Sequence, residues 1–134
     1  MEVVLADTSA WIEYSQATGS AVHLAMRALI DNDASLASTE PIAMELLAGA
    51  RTDAIRRRVR KTLNHFDHLA FDSTVDFPEA ARIYRDCRAA GVTPRNQIDC
   101  MIAAVALRTD AAVLSADSDF DQISAVTGLK LQTS

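Results

Sequence analysis

Short apolar runs alternate along the chain with longer segments in which apolar residues recur every three or four positions. The apolar runs are too short for helices, and the first is rich in β-branched residues, so we interpret them as buried strands. Predicted strands lie at residues 3–6, around Leu36, and at residues 68–71, 112–114 and 129–131. The longer segments have the period of amphipathic helices. They predict helices over about residues 8–14, 21–31, 39–49, 53–64, 75–90 and 96–108, with a short helical turn over 120–126.

Residue types at the ends of these segments support the predicted boundaries. Thr8 or Ser9 can cap the first helix, since a hydroxyl oxygen accepts a hydrogen bond from the free N–H groups of a first turn. Pro41 fits the first turn of the third helix, where proline is tolerated. Gly91 follows the long helix over residues 75–90 and suits the left-handed conformation in which many helices end. The helices therefore have clear starts and stops between the short strands.

The alternation of strands and helices indicates the fold class. Strands that are apolar on both faces are typical of parallel sheets covered by helices on both sides. We therefore predict an α/β fold, a three-layer α/β/α domain with a short, mostly parallel central sheet. A chain of 134 residues is long enough for one hydrophobic core, and it contains neither a repeat of fixed period nor a Pro/Gly/Ser-rich linker. We expect residues 1–134 to form a single domain.

Composition and charge narrow the classes of function. Hydrophobic residues make up 49% of the chain and charged residues 23%, which excludes a disordered or fibrous protein. The formal net charge of -5 disfavours a protein that grips nucleic acid by bulk electrostatics, because phosphate binding normally uses a surplus of Lys and Arg. Any contact with RNA should therefore be local or assisted by a metal ion.

The sequence shows no signal for export or membrane insertion. No secretory leader pattern follows Met1, and no apolar run approaches the length of a membrane span. Cys87 and Cys100 fall in predicted helices, in neither a C-x-x-C pair nor a zinc-binding spacing, so we expect free thiols. These observations predict a cytoplasmic protein that does not contact a membrane.

Acidic residues follow two of the predicted strands. Asp7 comes directly after residues 3–6, and Asp117 comes just after residues 112–114 in the segment S-A-D-S-D-F. In open α/β sheets, ligands collect beyond the carboxyl ends of the strands. Each aspartate also has a plain structural explanation, because Asp often caps helices and turns. The same explanation applies to Asp119, two residues further on.

Two further acids lie in segments that are otherwise apolar. Glu45 has no Lys or Arg three or four positions away on its predicted helix, so its charge needs a partner from elsewhere in the chain. It could also be a partly exposed surface acid. Asp99 stands near the start of an otherwise apolar helix, with Arg95 four residues earlier as a candidate local partner. An acid in a first turn is also favoured by the helix dipole alone.

The acids together indicate a site for a divalent metal ion. Asp7, Glu45, Asp99, Asp117 and Asp119 stand at positions that one fold would bring to a single cleft. Crowded carboxylates repel one another and need a neutralising cation. Oxygen ligands suit Mg²⁺ or Mn²⁺ rather than zinc. Such ions serve phosphodiester hydrolysis best, because they activate water and stabilise charge on phosphate oxygens.

Hydroxyl and basic residues elsewhere in the chain have roles that the sequence leaves open. Thr8, Ser9 and Ser115 could orient water, phosphate or a carboxylate, or could only cap helices and turns. A basic stretch runs from Arg51 to Lys61. It could contact phosphates or an acidic partner, and as a solvated helix face it needs no function.

Four sequence blocks resemble those of the PIN-domain ribonucleases, and most closely the VapC toxins of bacterial toxin–antitoxin pairs. The blocks are D-T-S-A-W at residues 7–11, E-L-L-A-G-A-R at 45–51, I-D-C-M-I-A-A at 98–104 and S-A-D-S-D-F-D at 115–121. Their order and spacing are specific in combination, and the resemblance covers nearly the whole chain. Ser115 stands where relatives often have Thr, a change that keeps the hydroxyl group.

The resemblance implies an active site, a cofactor and partners. Its implied catalytic residues are Asp7, Glu45, Asp99 and Asp117, with Asp119 as a fifth member. A metal ion would be held by Asp7, Asp99 and Asp117. The family further implies an Mg²⁺-dependent endoribonuclease toxin, with Mn²⁺ as an alternative ion and tRNA or rRNA as substrate. It also implies a homodimer, and inhibition by a cognate antitoxin whose tail enters the active-site groove.

Two other functions remain open from the sequence. A phospho-accepting receiver domain also gathers acids at strand ends, but it needs a lysine at the site, and Lys61 and Lys130 are the two lysines of the chain. A catalytically inactive PIN scaffold that only binds a partner is the second alternative. Nucleotide binding is disfavoured, because the four glycines form neither a G-x-G-x-x-G motif nor a P-loop.

Overall fold

Residues 2–134, which a computed structural model describes, form four short strands and seven helices. The strands are β1 (Val3–Ala6), β2 (Ser35–Ser38), β3 (Asp67–His68) and β4 (Ala112–Leu114). The helices are α1 (Thr8–Ser15), α2 (Ala21–Asp31), α3 (Glu40–Gly49), α4 (Asp53–His65), α5 (Ser73–Ala89), α6 (Gln97–Thr109) and α7 (Asp119–Thr127).

The strands form one parallel sheet in the order β3-β2-β1-β4. β1 lies between β2 and β4, with Val4 paired to Leu36 on one side and to Ala112 on the other. Helices connect the strands, because parallel neighbours cannot be joined by a tight turn. This topology confirms the predicted α/β fold with a parallel sheet. The carboxyl ends of β1 and β4 therefore lie at the same edge.

The core lies around β1, β4 and α6. Leu5 and Leu114 are completely buried in the sheet, and residues 102–106 of α6 have no exposed surface. A helix that is apolar on all sides is buried on all sides. Packing of α6 against its neighbours therefore fixes the position of its first turn, which carries Asp99.

Several element boundaries differ from those predicted. The strand expected over residues 68–71 is limited to Asp67–His68, which pair with β2. The strand expected over residues 129–131 is absent from the described chain, and Leu131 makes one bridge to Val113 instead. Strand β4, which would pair with this segment, has only three residues. Gly128 also turns the chain, with a φ of 75°, just before the bridge. The short helical turn predicted over residues 120–126 is the nine-residue helix α7.

Within residues 2–134, no helix combines the length and the apolar composition that crossing a membrane would require. Cys87 and Cys100 lie in α5 and α6, as predicted, and both are buried free thiols.

Candidate metal centre

Two strands and two helices bring four of the predicted acids to the carboxyl edge of the sheet. Asp7 directly follows β1, and Asp117 lies three residues beyond the end of the neighbouring strand β4. Asp99 is in the first turn of α6, and Asp119 is the first residue of α7. A parallel pair of strands thus carries two of the acids, and helix starts carry two more.

Asp99, Asp117 and Asp119 form the tightest group of acids in the described chain. Each contributes one carboxylate oxygen, and these oxygen atoms lie within 4.8 Å of one another. Asp99 and Asp119 are buried, and the side chain of Asp117 is 30% exposed. The group therefore opens to solvent on the side of Asp117.

Asp7 lies deeper, and neighbouring hydroxyl groups fix its carboxylate. Ser115 Oγ donates to Oδ2 at 2.6 Å, and Ser9 Oγ donates to Oδ1 at 2.7 Å. The backbone N–H of Ala10 also donates to Oδ1, at 2.9 Å, which makes Asp7 the N-cap of α1. The expectation that Thr8 or Ser9 caps this helix is therefore wrong, because the cap is the residue directly after β1. Ser9 and Ser115 orient a carboxylate, one of the roles considered for them.

Glu45 stands at the side of the group and has polar partners of its own. Thr8 Oγ1 donates to its Oε1 at 2.6 Å, and Asn96 Nδ2 donates to its Oε2 at 3.4 Å. The partner that the sequence required is therefore a hydroxyl and an amide rather than a Lys or Arg. The role of Asn96, which also caps α6, was not predicted. The sequence feature that could have indicated this role is the position of Asn96, three residues before Asp99.

Burial and mutual repulsion change the acidity of the cluster. Burial, followed by the negative charges of Asp117, Asp7, Asp119 and Glu45, raises the pKa of Asp99 to about 7. Burial also raises the pKa of Asp7, although hydrogen bonds from Ser115, Ser9 and Ala10 oppose the rise. The charge of Asp117 adds to that rise. The described acids thus influence one another as members of one site.

Arg95 contacts two acids of the cluster, but not the one expected. Its Nη2 lies 2.9 Å from Asp117 Oδ1, and its Nε lies 3.2 Å from Asp119 Oδ2. The suggested pairing with Asp99, four residues along the chain, is not formed. Arg95 precedes α6 rather than belonging to it, so the spacing of helical neighbours does not apply.

The donor set fits a hard divalent cation. The three clustered residues offer carboxylate oxygens, the ligands that Mg²⁺ and Mn²⁺ prefer, and no His or Cys belongs to this group among the described residues. Burial and then the repulsion of the neighbouring carboxylates raise the pKa of Asp99. A bound cation would relieve this repulsion. Burial of Asp99 and Asp119 would shield it from competing water.

Neither lysine forms an ion pair with this cluster in the described part of the chain. Lys130 Nζ pairs with Asp110 at 3.1 Å and with Glu2 at 3.7 Å. These two acids precede β4 and β1, so Lys130 belongs to the amino edge of the sheet. Lys61 is an exposed residue of α4. A receiver domain, which needs a lysine beside its acids, therefore does not fit this site.

Comparisons with known proteins agree with the fold and with the sequence blocks. The family model described as "PIN domain" matches residues 4–126. A VapC ribonuclease of Mycobacterium bovis is 43% identical over 129 residues, which cover 96% of each chain. The ribonuclease VapC11 of Mycobacterium tuberculosis matches with the same identity and coverage.

Solved structures show the same architecture. A VapBC2 complex of Rickettsia felis, bound to a promoter DNA fragment, aligns with a TM-score of 0.76 at 13% identity, covering 97% of each chain. VapBC-1 of nontypeable Haemophilus influenzae aligns with a TM-score of 0.75 at 18% identity, covering 98% of this chain and 97% of that one. At these identities the likeness concerns the fold alone. Because the family model spans nearly the whole sequence and the 43% identical relatives match along it, the chain belongs to the PIN-domain family, among the VapC ribonucleases.

Proposed function

We propose that this protein is a metal-dependent endoribonuclease toxin that cleaves RNA by hydrolysing phosphodiester bonds. The observation that carries the proposal is the meeting of Asp99, Asp117 and Asp119 within 4.8 Å, beside the buried Asp7. The 43% identical relatives are themselves named ribonucleases. Four acids gathered at the carboxyl edge of the sheet favour an enzyme over an inactive scaffold.

Asp7, Asp99 and Asp117 are the proposed metal ligands, with Asp119 beside them and Mg²⁺ or Mn²⁺ as the ion. When bound, such an ion activates water and offsets negative charge on phosphate oxygens. Ser9 and Ser115 hold the carboxylate of Asp7 in one orientation, so the site is organised before substrate arrives.

Glu45 has a different proposed role. It lies outside the group of three acids, and both of its oxygens accept hydrogen bonds, from Thr8 and Asn96. These contacts fix the carboxylate at the side of the site, where it can orient water or accept a proton from it. Its charge still raises the pKa of Asp99, so the two residues act within one electrostatic environment.

The proposed substrate is a structured RNA, tRNA or rRNA. The chain carries a net charge of -5, so the protein cannot bind RNA through a general positive surface. Recognition must therefore rely on local contacts near the site. Arg95 and the basic helix α4 are the positive groups best placed for such contacts. This arrangement fits an enzyme that selects a short exposed loop.

The proposed partners are a cognate antitoxin and a second copy of the chain. An apolar cavity of about 390 Å³ between α1, α3 and α4 contains Trp11, Tyr14 and Leu46 in its lining. This cavity supports an antitoxin segment docking here. The exposed Val75 and Phe77 on α5 support a homodimer contact on another face. We further propose that residues 1–134 form one PIN domain.

The test is cleavage of total RNA by the purified protein with Mg²⁺ or Mn²⁺. Asp7→Asn and Asp99→Asn keep the size of the side chain but remove its charge, so both should lose nearly all activity. Excess chelator should stop cleavage by the parent protein. If both variants cleave RNA as fast as the parent, the activity comes from a contaminant and the proposal is wrong.

A further inference from the structure

Arg95 combines an anchored backbone with an exposed side chain. Pro94 before it is buried, and Asn96 after it caps α6 by accepting a hydrogen bond from the Ile98 N–H at 2.9 Å. Asn96 also bonds to Glu45. The side chain of Arg95 is nevertheless 73% exposed. The guanidinium group can therefore change partners while its Cα atom stays beside the acid cluster.

The present partners of Arg95 are two of the three clustered acids. Its N–H groups donate hydrogen bonds to one oxygen of Asp117 and to one oxygen of Asp119. Arg95 is the basic residue that forms ion pairs with the cluster in the described chain. Its single positive charge thus neutralises part of the group of carboxylates that fits a divalent ion.

A divalent ion should displace this guanidinium. The Arg95 side chain is exposed, so water screens both ion pairs and the side chain loses freedom when it forms them, which weakens them even though the carboxylate of Asp119 is buried. A small ion with two positive charges, held by Asp99 and Asp117 beside Asp119, would attract these carboxylates more strongly than a guanidinium group does. Metal loading would therefore free Arg95 at the mouth of the site.

A freed arginine at this position matches the chemistry of the proposed substrate. Its planar group donates two parallel hydrogen bonds, a geometry that suits phosphate oxygens as well as carboxylates. We propose that Arg95 exchanges partners, leaving Asp117 and Asp119 when the metal ion binds and then binding a phosphate of the RNA. Arg95 is thus a substrate-binding residue that is available only in the metal-loaded protein. The phosphate part of this inference rests on the proposed ribonuclease function.

The first test follows the side chain itself and needs no RNA. In ¹⁵N-labelled protein, the Nε–Hε resonance of Arg95 is identified by its loss in Arg95→Lys. With chelator present, this resonance should lie apart from those of exposed arginines. It should move toward them as Mg²⁺ saturates the site. If Mg²⁺ shifts the backbone amide of Asp119 and leaves the Arg95 resonance unchanged, the exchange does not occur.

The second test measures Mn²⁺ affinity by calorimetry. Arg95→Gln removes the competing charge, so it should bind Mn²⁺ about two- to fivefold more tightly than the parent. Arg27→Gln is the matched control, since Arg27 is an exposed arginine on α2, another part of the surface. The control should bind Mn²⁺ as the parent does. Unchanged affinity in Arg95→Gln would overturn the inference.

The third test uses bulk tRNA as the cleavage substrate. Arg95→Gln should raise KM about tenfold and change kcat less, and the salt dependence of 1/KM should fall by about one phosphate contact. A KM and a salt dependence equal to those of the parent would refute the phosphate contact. If the parent protein cleaves no RNA with any ion, the proposed function and the phosphate contact both fail. The resonance and Mn²⁺ measurements then still decide whether the metal displaces Arg95.

Discussion

Asp99 combines burial with the repulsion of its neighbours, and both effects favour its protonated form. Folding raises the pKa of Asp99 from 3.8 to about 7. Above pH 7 the carboxyl group is ionised in both the folded and the unfolded protein, and its charge then lowers the free energy of unfolding most. Asp99→Asn should therefore raise the free energy of unfolding in chelator at pH 8, by about 2 kcal/mol. Below pH 4 this advantage should vanish. Chemical denaturation at the two pH values measures the difference.

Added Mn²⁺ should reverse this order. An ion that binds only the folded state stabilises it by mass action, and the parent retains all its ligands. Asp121→Asn provides the control, because Asp121 is an exposed acid in the first turn of α7. It should respond to chelator and Mn²⁺ as the parent does. A loss of stability in Asp99→Asn in the presence of chelator would contradict the repulsion argument.

Ser115 links two acids through one hydroxyl group. It donates to Asp7 Oδ2 at 2.6 Å and accepts from the Asp117 N–H at 2.8 Å. Ser115→Ala should weaken Mn²⁺ binding about tenfold, because groups that orient metal ligands typically contribute this much. Ser115→Thr keeps the hydroxyl and should bind Mn²⁺ nearly as the parent does. Calorimetric titration of the three proteins decides, and equal affinities for parent and Ser115→Ala would exclude this role.

The positions of the acids, and three hydroxyl residues that could orient a carboxylate, could be predicted from the sequence, but which side chain bonds to which acid could not. Asp7 and Asp117 follow apolar runs, and this local pattern is visible in the chain. The contact between Ser115 and Asp7 joins residues 108 positions apart, and Arg95 reaches Asp119 across 24 positions. Such contacts depend on the order of the strands and the direction of the loops, which cannot be determined from a single sequence.

Helices α5 and α6 are joined by an ion pair that the sequence analysis missed. Asp76 is fully buried and accepts hydrogen bonds from Arg108 Nε at 2.9 Å and Nη2 at 2.8 Å. Asp76 lies on the face of α5 that also carries the buried Ala80, Ile83 and Cys87. The sequence feature that could have indicated a buried charge is an acidic residue at a helical spacing from these apolar residues. The partner could not be predicted, because it lies on another helix.

This ion pair should dominate the acid sensitivity of the two helices. Burial alone would raise the pKa of Asp76, but Arg108 and the Asp72 N–H hold it below its usual value. The contribution of Asp76 to the free energy of unfolding is therefore complete above about pH 4. It is lost as the pH falls through the lower pKa that Asp76 has in the folded state. Asp76→Asn should lower the free energy of unfolding at pH 7 by about 3 kcal/mol.

The same helix offers a matched control for that prediction. Glu79 pairs with Arg82 on the exposed side of α5, where water screens the interaction. Glu79→Gln should therefore leave the stability nearly unchanged at every pH. The difference between parent and Asp76→Asn should shrink as the pH is lowered below 4. Equal stabilities of Asp76→Asn and Glu79→Gln at pH 7 would show that the buried pair contributes little.

The elements themselves were predicted well where the local pattern is strong. The long helices have a clear period and recognisable ends, and the bounds of α2 match the prediction. The predicted strand boundaries were wrong at β3 and after Gly128, where strand pairing involves only one or two residues. Such short pairings depend on what the neighbouring strand offers rather than on the residues' own preferences.

Charge is divided unevenly over the whole molecule. The net charge is -5, yet five of the 13 Lys and Arg residues lie between Arg56 and Lys61 on α4. Arg60 lines a cavity with Ser38 and His68, at the carboxyl ends of β2 and β3. Arg58 lines the apolar cavity that contains Trp11. The two arginines therefore serve two different surfaces of one helix.

This division predicts that the functions of the two surfaces can be separated. Arg60 lies on the edge of the sheet that also carries Asp7, so Arg60→Gln should raise the KM for bulk tRNA severalfold and leave antitoxin affinity unchanged. Arg58→Glu should weaken binding of the cognate antitoxin about tenfold or more, because it places a negative charge at the rim of the apolar cavity. Its KM for tRNA should stay near that of the parent. Cleavage kinetics and calorimetry on both variants provide the test. If both variants change both properties equally, α4 acts only as a general source of positive charge.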